Sequence, residues 1–273
     1  MPYPRAHYWV AFVLLVTVVG FWPSYFMKLS EAPLGFHVHA VTSLVWTAIV
    51  MVQSWGIHHG KRGLHKALGK ASLALFPFLI VGFVMIINIS AESFLTRDDP
   101  FSQVAKSGMG ATMLVAIVAY CIVFHQALAK RRNVMQHAGF MLTTPLILFE
   151  SPFSRIMIDH APWTVFTGAT GMYFILDAIV IAMVLSIVFA MIVWARDRAK
   201  HKPFLIVSIL LALEAVAMRF AGEFEAWRIV FGAYGRLPDS VTIGVGFALV
   251  AIVVLHGWKS GSKPKPAAPK VAI

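Results

Sequence analysis

Ala71-Ser72-Leu73-Ala74-Leu75-Phe76-Pro77-Phe78-Leu79-Ile80-Val81-Gly82-Phe83-Val84-Met85-Ile86-Ile87-Asn88-Ile89 is a run of 19 residues without a charged side chain. As a helix rising about 1.5 Å per residue it reaches about 28 Å, close to the thickness of a bilayer's hydrocarbon core. Comparable apolar runs occupy residues 8–27, 37–57, 108–128, 138–158, 171–194, 203–221 and 241–256. The whole chain is 59% hydrophobic and 13% charged, whereas a soluble domain carries about 25% charged residues. No water-soluble core absorbs that much apolar surface in 273 residues. The expected fold is all-α: a polytopic transmembrane helical bundle of about eight spans, forming one domain over residues 1–258. Residues 259–273, rich in Pro and Lys, read as a disordered basic tail.

The formal charge of +11 does not point to nucleic acid, because of where the charges lie. Of the 23 Lys and Arg, 15 fall in three loops and the tail: Lys61, Arg62, Lys66 and Lys70; Lys130, Arg131 and Arg132; Arg196, Arg198, Lys200 and Lys202; Lys259, Lys263, Lys265 and Lys270. With eight crossings these all fall on one side, while residues 91–106 on the other carry Glu92, Asp98 and Asp99. That asymmetry places both termini in the cytoplasm and the basic loops against lipid headgroups. The first run lacks a small-residue cleavage site, since residues 21–26 read Phe-Trp-Pro-Ser-Tyr-Phe, so it is expected to be a retained anchor. Residues 223–239 alternate charged and aromatic side chains and read as an amphipathic helix on the outer surface. The single cysteine, Cys121, excludes an intrachain disulfide and a cysteine-only metal site.

Ionisable groups inside a bilayer are costly and mark candidate sites. Glu150 sits about 12 Å below the outer end of its helix, and Asp177 and Glu214 fall in the same half. Arg155 and Arg219 lie near the outer ends of the helices that carry Glu150 and Glu214. His39, Trp46 and Gln53 recur at heptad spacing and share one stripe. If that stripe faces the bundle, His39, Glu150, Arg155, Asp177, Glu214 and Arg219 make an intramembrane polar cluster able to bind a cation or relay protons. The plainer reading is that Glu150–Arg155 or Glu214–Arg219 are ion pairs that orient helices. Pro145 and Pro152 interrupt the same helix and each removes a backbone donor.

A second group of polar residues lies on the basic side: His58, His59, His65, His125, His137 and His201. Three basic hairpins each place a histidine where the returning helix begins, a faint internal repeat. His65 and His137 start two helices at matching depth, and two imidazoles so placed suit a b-type haem. Cys121 and His125, four apart, offer at most one wall of a metal site. Histidines beside Lys and Arg at a membrane surface also serve as interfacial groups. The chain has no phosphate-binding loop, nucleophile elbow or dinucleotide fingerprint.

These residues resemble a functionally unassigned family of multi-pass bacterial inner-membrane proteins. Two stretches carry the resemblance: His39, Trp46 and Gln53 followed by Gly63-Leu64-His65-Lys66-Ala67-Leu68-Gly69, and Lys130-Arg131-Arg132, His137, Met141, Pro145, Pro152 and Arg155. It implies location in the bacterial inner (plasma) membrane. The chain departs from the pattern at His137-Ala138-Gly139-Phe140, where basic residues would follow the histidine. A more distant likeness, to transmembrane b-type cytochromes, covers the His65/His137 arrangement alone. The function expected is that of a redox or accessory protein in which His65 and His137 ligate a b-type haem or contact a quinone headgroup, with protons moved by the outer acids. The alternatives are a proton- or cation-coupled small transporter built on Glu150, Asp177 and Glu214, and a non-catalytic subunit of a larger membrane complex.

Overall fold

The computed structural model describes residues 2–160 and 171–261. Nine α-helices account for most of them: α1 (Ala6–Phe21), α2 (Leu34–His58), α3 (Arg62–Thr96), α4 (Lys106–Ala129), α5 (Val134–His160), α6 (Met172–Arg196), α7 (Lys202–Phe220), α8 (Glu225–Gly235) and α9 (Asp239–Ser260). The described residues contain no strand, so the all-α reading holds. Six helices, α2, α3, α4, α6, α7 and α9, are long and apolar enough to cross a membrane.

The other two expected spans differ for separate reasons. Helix α1 has only 16 residues, because Trp22-Pro23 ends it where the hydrophobic run continues. Helix α5 has 27 residues, but Thr143, Thr144, Glu150, Ser151, Ser154 and Arg155 lower its apolarity. It is a polar helix held against α1, α4, α6 and α7, so its polar side chains face protein. Helix α3 exceeds its apolar run by turns at both ends and reaches 35 residues. Leu64 to Leu68 and Ala91 to Leu95 contain no breaker, so much of the expected outer loop is helix. Ser260 is still helical, which moves the start of the expected tail; residues 262–273 lie outside the described residues.

The core sits where α2, α3, α4 and α5 meet, around Trp46, Phe76, Tyr120, Phe124 and Phe140, each at most 1% exposed. One hydrogen-bonded knot passes through it. Pro145 has no N–H for the carbonyl of Met141, four residues back, and the Thr144 hydroxyl donates to that carbonyl instead at 2.8 Å. The same Thr144 oxygen accepts the Trp46 indole N–H at 2.9 Å, while the Tyr120 hydroxyl donates to the Thr144 carbonyl at 2.8 Å. Thr144→Val keeps the shape but strands a buried indole N–H and the Met141 carbonyl. A loss of about 2–3 kcal/mol is expected, read as a lower melting temperature in detergent.

Both described ends lie at the basic-loop end of the bundle. The Pro2 carbonyl meets His58 Nε2 at 3.1 Å, and Arg131 donates to the Trp258 carbonyl at 2.7 Å. Tyr3 packs its ring on His201 and Phe204; burial, with a smaller push from Asp197, raises its phenol to about 12. At the other end α8 turns Trp227 and Phe231 inward, the Trp227 indole donating to the Ser107 carbonyl at 2.9 Å.

Between α3 and α4 a π-helical turn (Phe101–Ala105) is closed by Asp99, which accepts from the Ser102 N–H at 3.0 Å and the Ser102 hydroxyl at 2.8 Å. Those bonds hold the carboxyl below its ordinary range. A depressed acid contributes stability above its unfolded pKa and loses it as pH falls through the folded value. Ser102 amide exchange is therefore expected to speed up, relative to its intrinsic rate, as the pH is lowered through the carboxylate range. Asp99→Ala should show that speed already at neutral pH.

Candidate functional site

The α2 stripe faces the bundle along its length. Trp46 is fully buried and Gln53 is 7% exposed. His39 and Gln53 line two separate cavities, one at each end, with Trp46 between them.

The cavity at the basic end, about 490 Å³, includes His65, His137, Gln53 and His58 in its wall, with Lys66, Lys70 and Arg131 also lining it. Its size falls in the range of about 300–1,000 Å³ typical of cofactor sites. The rings of His65 and His137 stand 6.4 Å apart, centre to centre, with perpendicular planes. Two imidazoles sharing one metal through nitrogens about 2 Å from it place their ring centres about 6 Å apart. His137 Nδ1 donates to the Ala127 carbonyl at 2.9 Å, leaving Nε2 with its lone pair. The His65 ring is turned to the Gln53 carbonyl, and its Nδ1 is buried with no hydrogen-bond partner.

Two of the three hairpin histidines share a structural task. His137 and His201 each bond a carbonyl near the end of the preceding helix, at Ala127 and Val193. That contact closes a hairpin and needs no ligand. What separates His65 and His137 from His201 is that they also face one another across a cavity. The remaining basic-side histidines are engaged elsewhere: His58 with the Ser54 and Pro2 carbonyls, His59 with the Trp55 carbonyl, and His125 with His256 at 2.8 Å. Among the described residues no three His, Cys, Asp or Glu side chains gather to hold a metal ion. Two histidines alone make an incomplete site for a bare ion, whereas a porphyrin brings its own in-plane nitrogens.

At the opposite end a cavity of about 340 Å³ is lined by His39, Ser43, Glu150, Ser151 and Arg155 among apolar side chains. Glu150 is 8% exposed, and among the described residues it makes no hydrogen bond. Arg155 donates to the Ser151 carbonyl and hydroxyl at 2.8 and 2.7 Å and lies 4.4 Å over the Phe21 ring. His39 Nδ1 and Ser43 Oγ are buried without partners.

The expected polar cluster therefore splits in two. Asp177 meets Arg219 at 3.6 Å, and neither lines either of these two cavities. The reading of Glu214–Arg219 as an ion pair is corrected: five residues on a helix leave the two side chains about 140° apart, and Arg219 turns to α6. Glu214 is 1% exposed, with Oε1 unpartnered, and faces the side of α7 that meets Glu150 and Tyr120. The Glu150–Arg155 pair is likewise not a contact ion pair among the described residues; Arg155 is bonded to Ser151 instead. Ser43 escaped the sequence reading, although it stands one turn from His39 on the same face.

A Cβ at Gly139 would come within 2.8 Å of the Pro203 ring, and Phe140 is fully buried, so long basic side chains have no room at these two positions. No family model matches the chain, and no curated protein or solved structure shows significant similarity to it.

Proposed function

We propose that the chain is an eight-span protein of the bacterial inner membrane, both termini cytoplasmic, that works in redox chemistry through a b-type haem held by His65 and His137. The topology is supported by six apolar helices, by the clustering of basic loops, and by the approach of both described ends to the same end of the bundle. The haem reading is carried by one observation: two imidazoles from different helices face each other at 6.4 Å in a cavity.

Each residue has a distinct part. The Ala127 carbonyl fixes the His137 tautomer and orients its ring, as partners of ligating histidines do. Lys66, Lys70 and Arg131 supply positive charge suited to propionates at the basic end. Phe124, Leu128, Met141 and Leu142 supply apolar wall and exclude water. Bound there, haem would supply one-electron transfer, with its potential raised or lowered by burial and hydrogen bonding. The test is a reduced-minus-oxidised absorption spectrum of the detergent-purified protein, with metal analysis of the same sample. Sharp α and Soret bands with about one iron per chain are expected; a flat spectrum from protein expressed with haem supplied would overturn the reading.

A second reading, a proton- or cation-coupled transporter, is favoured by the burial of Glu150 and Glu214 on facing helices. It predicts that Glu150→Gln abolishes flux in proteoliposomes while insertion is retained.

A further inference from the structure

We propose that the cavity opposite the basic end binds a membrane-dissolved quinol by its headgroup, with Glu150, His39 and Ser43 as its hydrogen-bonding partners. The inference rests on the redox reading for the choice of a quinol among neutral phenols. The site itself rests on its own geometry.

Three features define the occupant. First, the wall is mainly apolar, with Phe21, Phe36 and Phe83 around the space and Ile147 and Leu148 behind. Such a lining accepts a planar ring. Second, polar groups of opposite character meet there. An anion would face the Glu150 carboxyl and a cation would face Arg155, so the occupant that satisfies both is neutral and carries hydroxyl groups. Third, the buried polar atoms lack partners. His39 Nδ1 and Ser43 Oγ are buried and unbonded, and Glu150 makes no hydrogen bond among the described residues. Buried groups of this kind are nearly always satisfied in proteins. A hydroxyl donating to Glu150 and a second oxygen meeting His39 or Ser43 would satisfy them.

The cavity's reach fits the same ligand. Its lining begins at the 3-10 turn (Phe26–Glu31), where α1 gives way to α2, and ends at Thr47 and Met113, beside Trp46. Phe83, in the wall, packs its ring 5.6 Å from Tyr120, and Tyr120 lies 6.3 Å from Phe76. Phe76 in turn is 4.2 Å from Phe124, which lines the cavity of His65 and His137. A bound quinol would therefore sit at one end of a continuous aromatic column whose other end is the histidine pair.

The experiment is equilibrium binding of a radiolabelled short-chain alkyl benzoquinol, kept reduced, to the full chain in lipid nanodiscs. The matching alkylbenzene without oxygens serves as competitor. Saturable binding at one site per chain is expected, with the alkylbenzene competing poorly. Glu150→Gln is expected to weaken binding by about tenfold or more, and Ser43→Leu, which fills the cavity, by a similar factor. Protein expressed without added haem is expected to bind as haem-supplied protein does, so binding survives even if the chain holds no haem. Absence of saturable binding, equal competition by the alkylbenzene, or wild-type affinity in both Glu150→Gln and Ser43→Leu would overturn the proposal. Binding only to the haem-supplied protein would overturn it too, by tying the quinol to the other cavity.

Discussion

His65→Ala and His137→Ala are each expected to abolish the α and Soret bands of the purified protein and to reduce bound iron from about one per chain to a trace. The necessary control is His201→Ala. His137 and His201 each bond a carbonyl of the preceding helix, so His137→Ala and His201→Ala each lose one hairpin contact, a structural cost of about 1 kcal/mol. Only His65 and His137 face one another at 6.4 Å. If hairpin closure were the whole task of His137, its variant and His201→Ala would behave alike in stability and spectrum. The haem reading instead separates them: the bands vanish in His65→Ala and His137→Ala and persist in His201→Ala. Elution as a folded species on size exclusion confirms that a lost band reports a lost ligand. Bands that persist in both cavity variants would remove these histidines from the site.

Gly20→Ala should cause a large stability loss for a single added methyl. A Cβ at Gly20 would overlap the carbonyl oxygen of Pro152, so α1 cannot keep its approach to α5. Backbone on both sides leaves no flexible side chain to yield, and a cost of about 3 kcal/mol or more is expected. The displaced helix also carries Thr17 and Phe21, which wall the cavity of Glu150, and takes Phe21 from under Arg155. Gly244→Ala is the matched control, since nothing lies within 4 Å of a Cβ there. The measurement is the apparent melting temperature in detergent. A large drop for Gly20→Ala with little change for Gly244→Ala is expected; equal small changes would show that α1 is free to move.

How much of this was legible from the chain depends on the kind of fact. Composition and run length are properties of single segments, and they led correctly to an all-helical protein with several helices long and apolar enough to cross a membrane. Periodicity within one helix was equally readable, so His39, Trp46 and Gln53 do share an inward stripe. The relation between helices was not readable in the same way. Asp177, Glu214 and Arg219 looked like members of one cluster because depth along an axis can be counted, whereas rotation about it cannot. Rotation is set by close approaches such as Gly20 on Pro152 and Gly82 on His39, which leave no periodic trace. Helix α5 shows the converse. Its prolines suggested an interrupted segment, yet it runs unbroken from Val134 to His160, because Thr144 takes the carbonyl that Pro145 leaves free.

The core of Trp46, Phe76, Tyr120 and Phe124 lies between the two cavities and is closed to solvent. Placed in an energised membrane, it acts as an insulator between two chambers at different depths. A charge carried from one chamber to the other would cross part of the membrane voltage, which is worth about 2.3 kcal/mol per elementary charge per 100 mV for full passage. On the proposed redox reading, an electron passing from a quinol in one chamber, its protons released there, to a haem in the other would do part of that electrical work without admitting an ion.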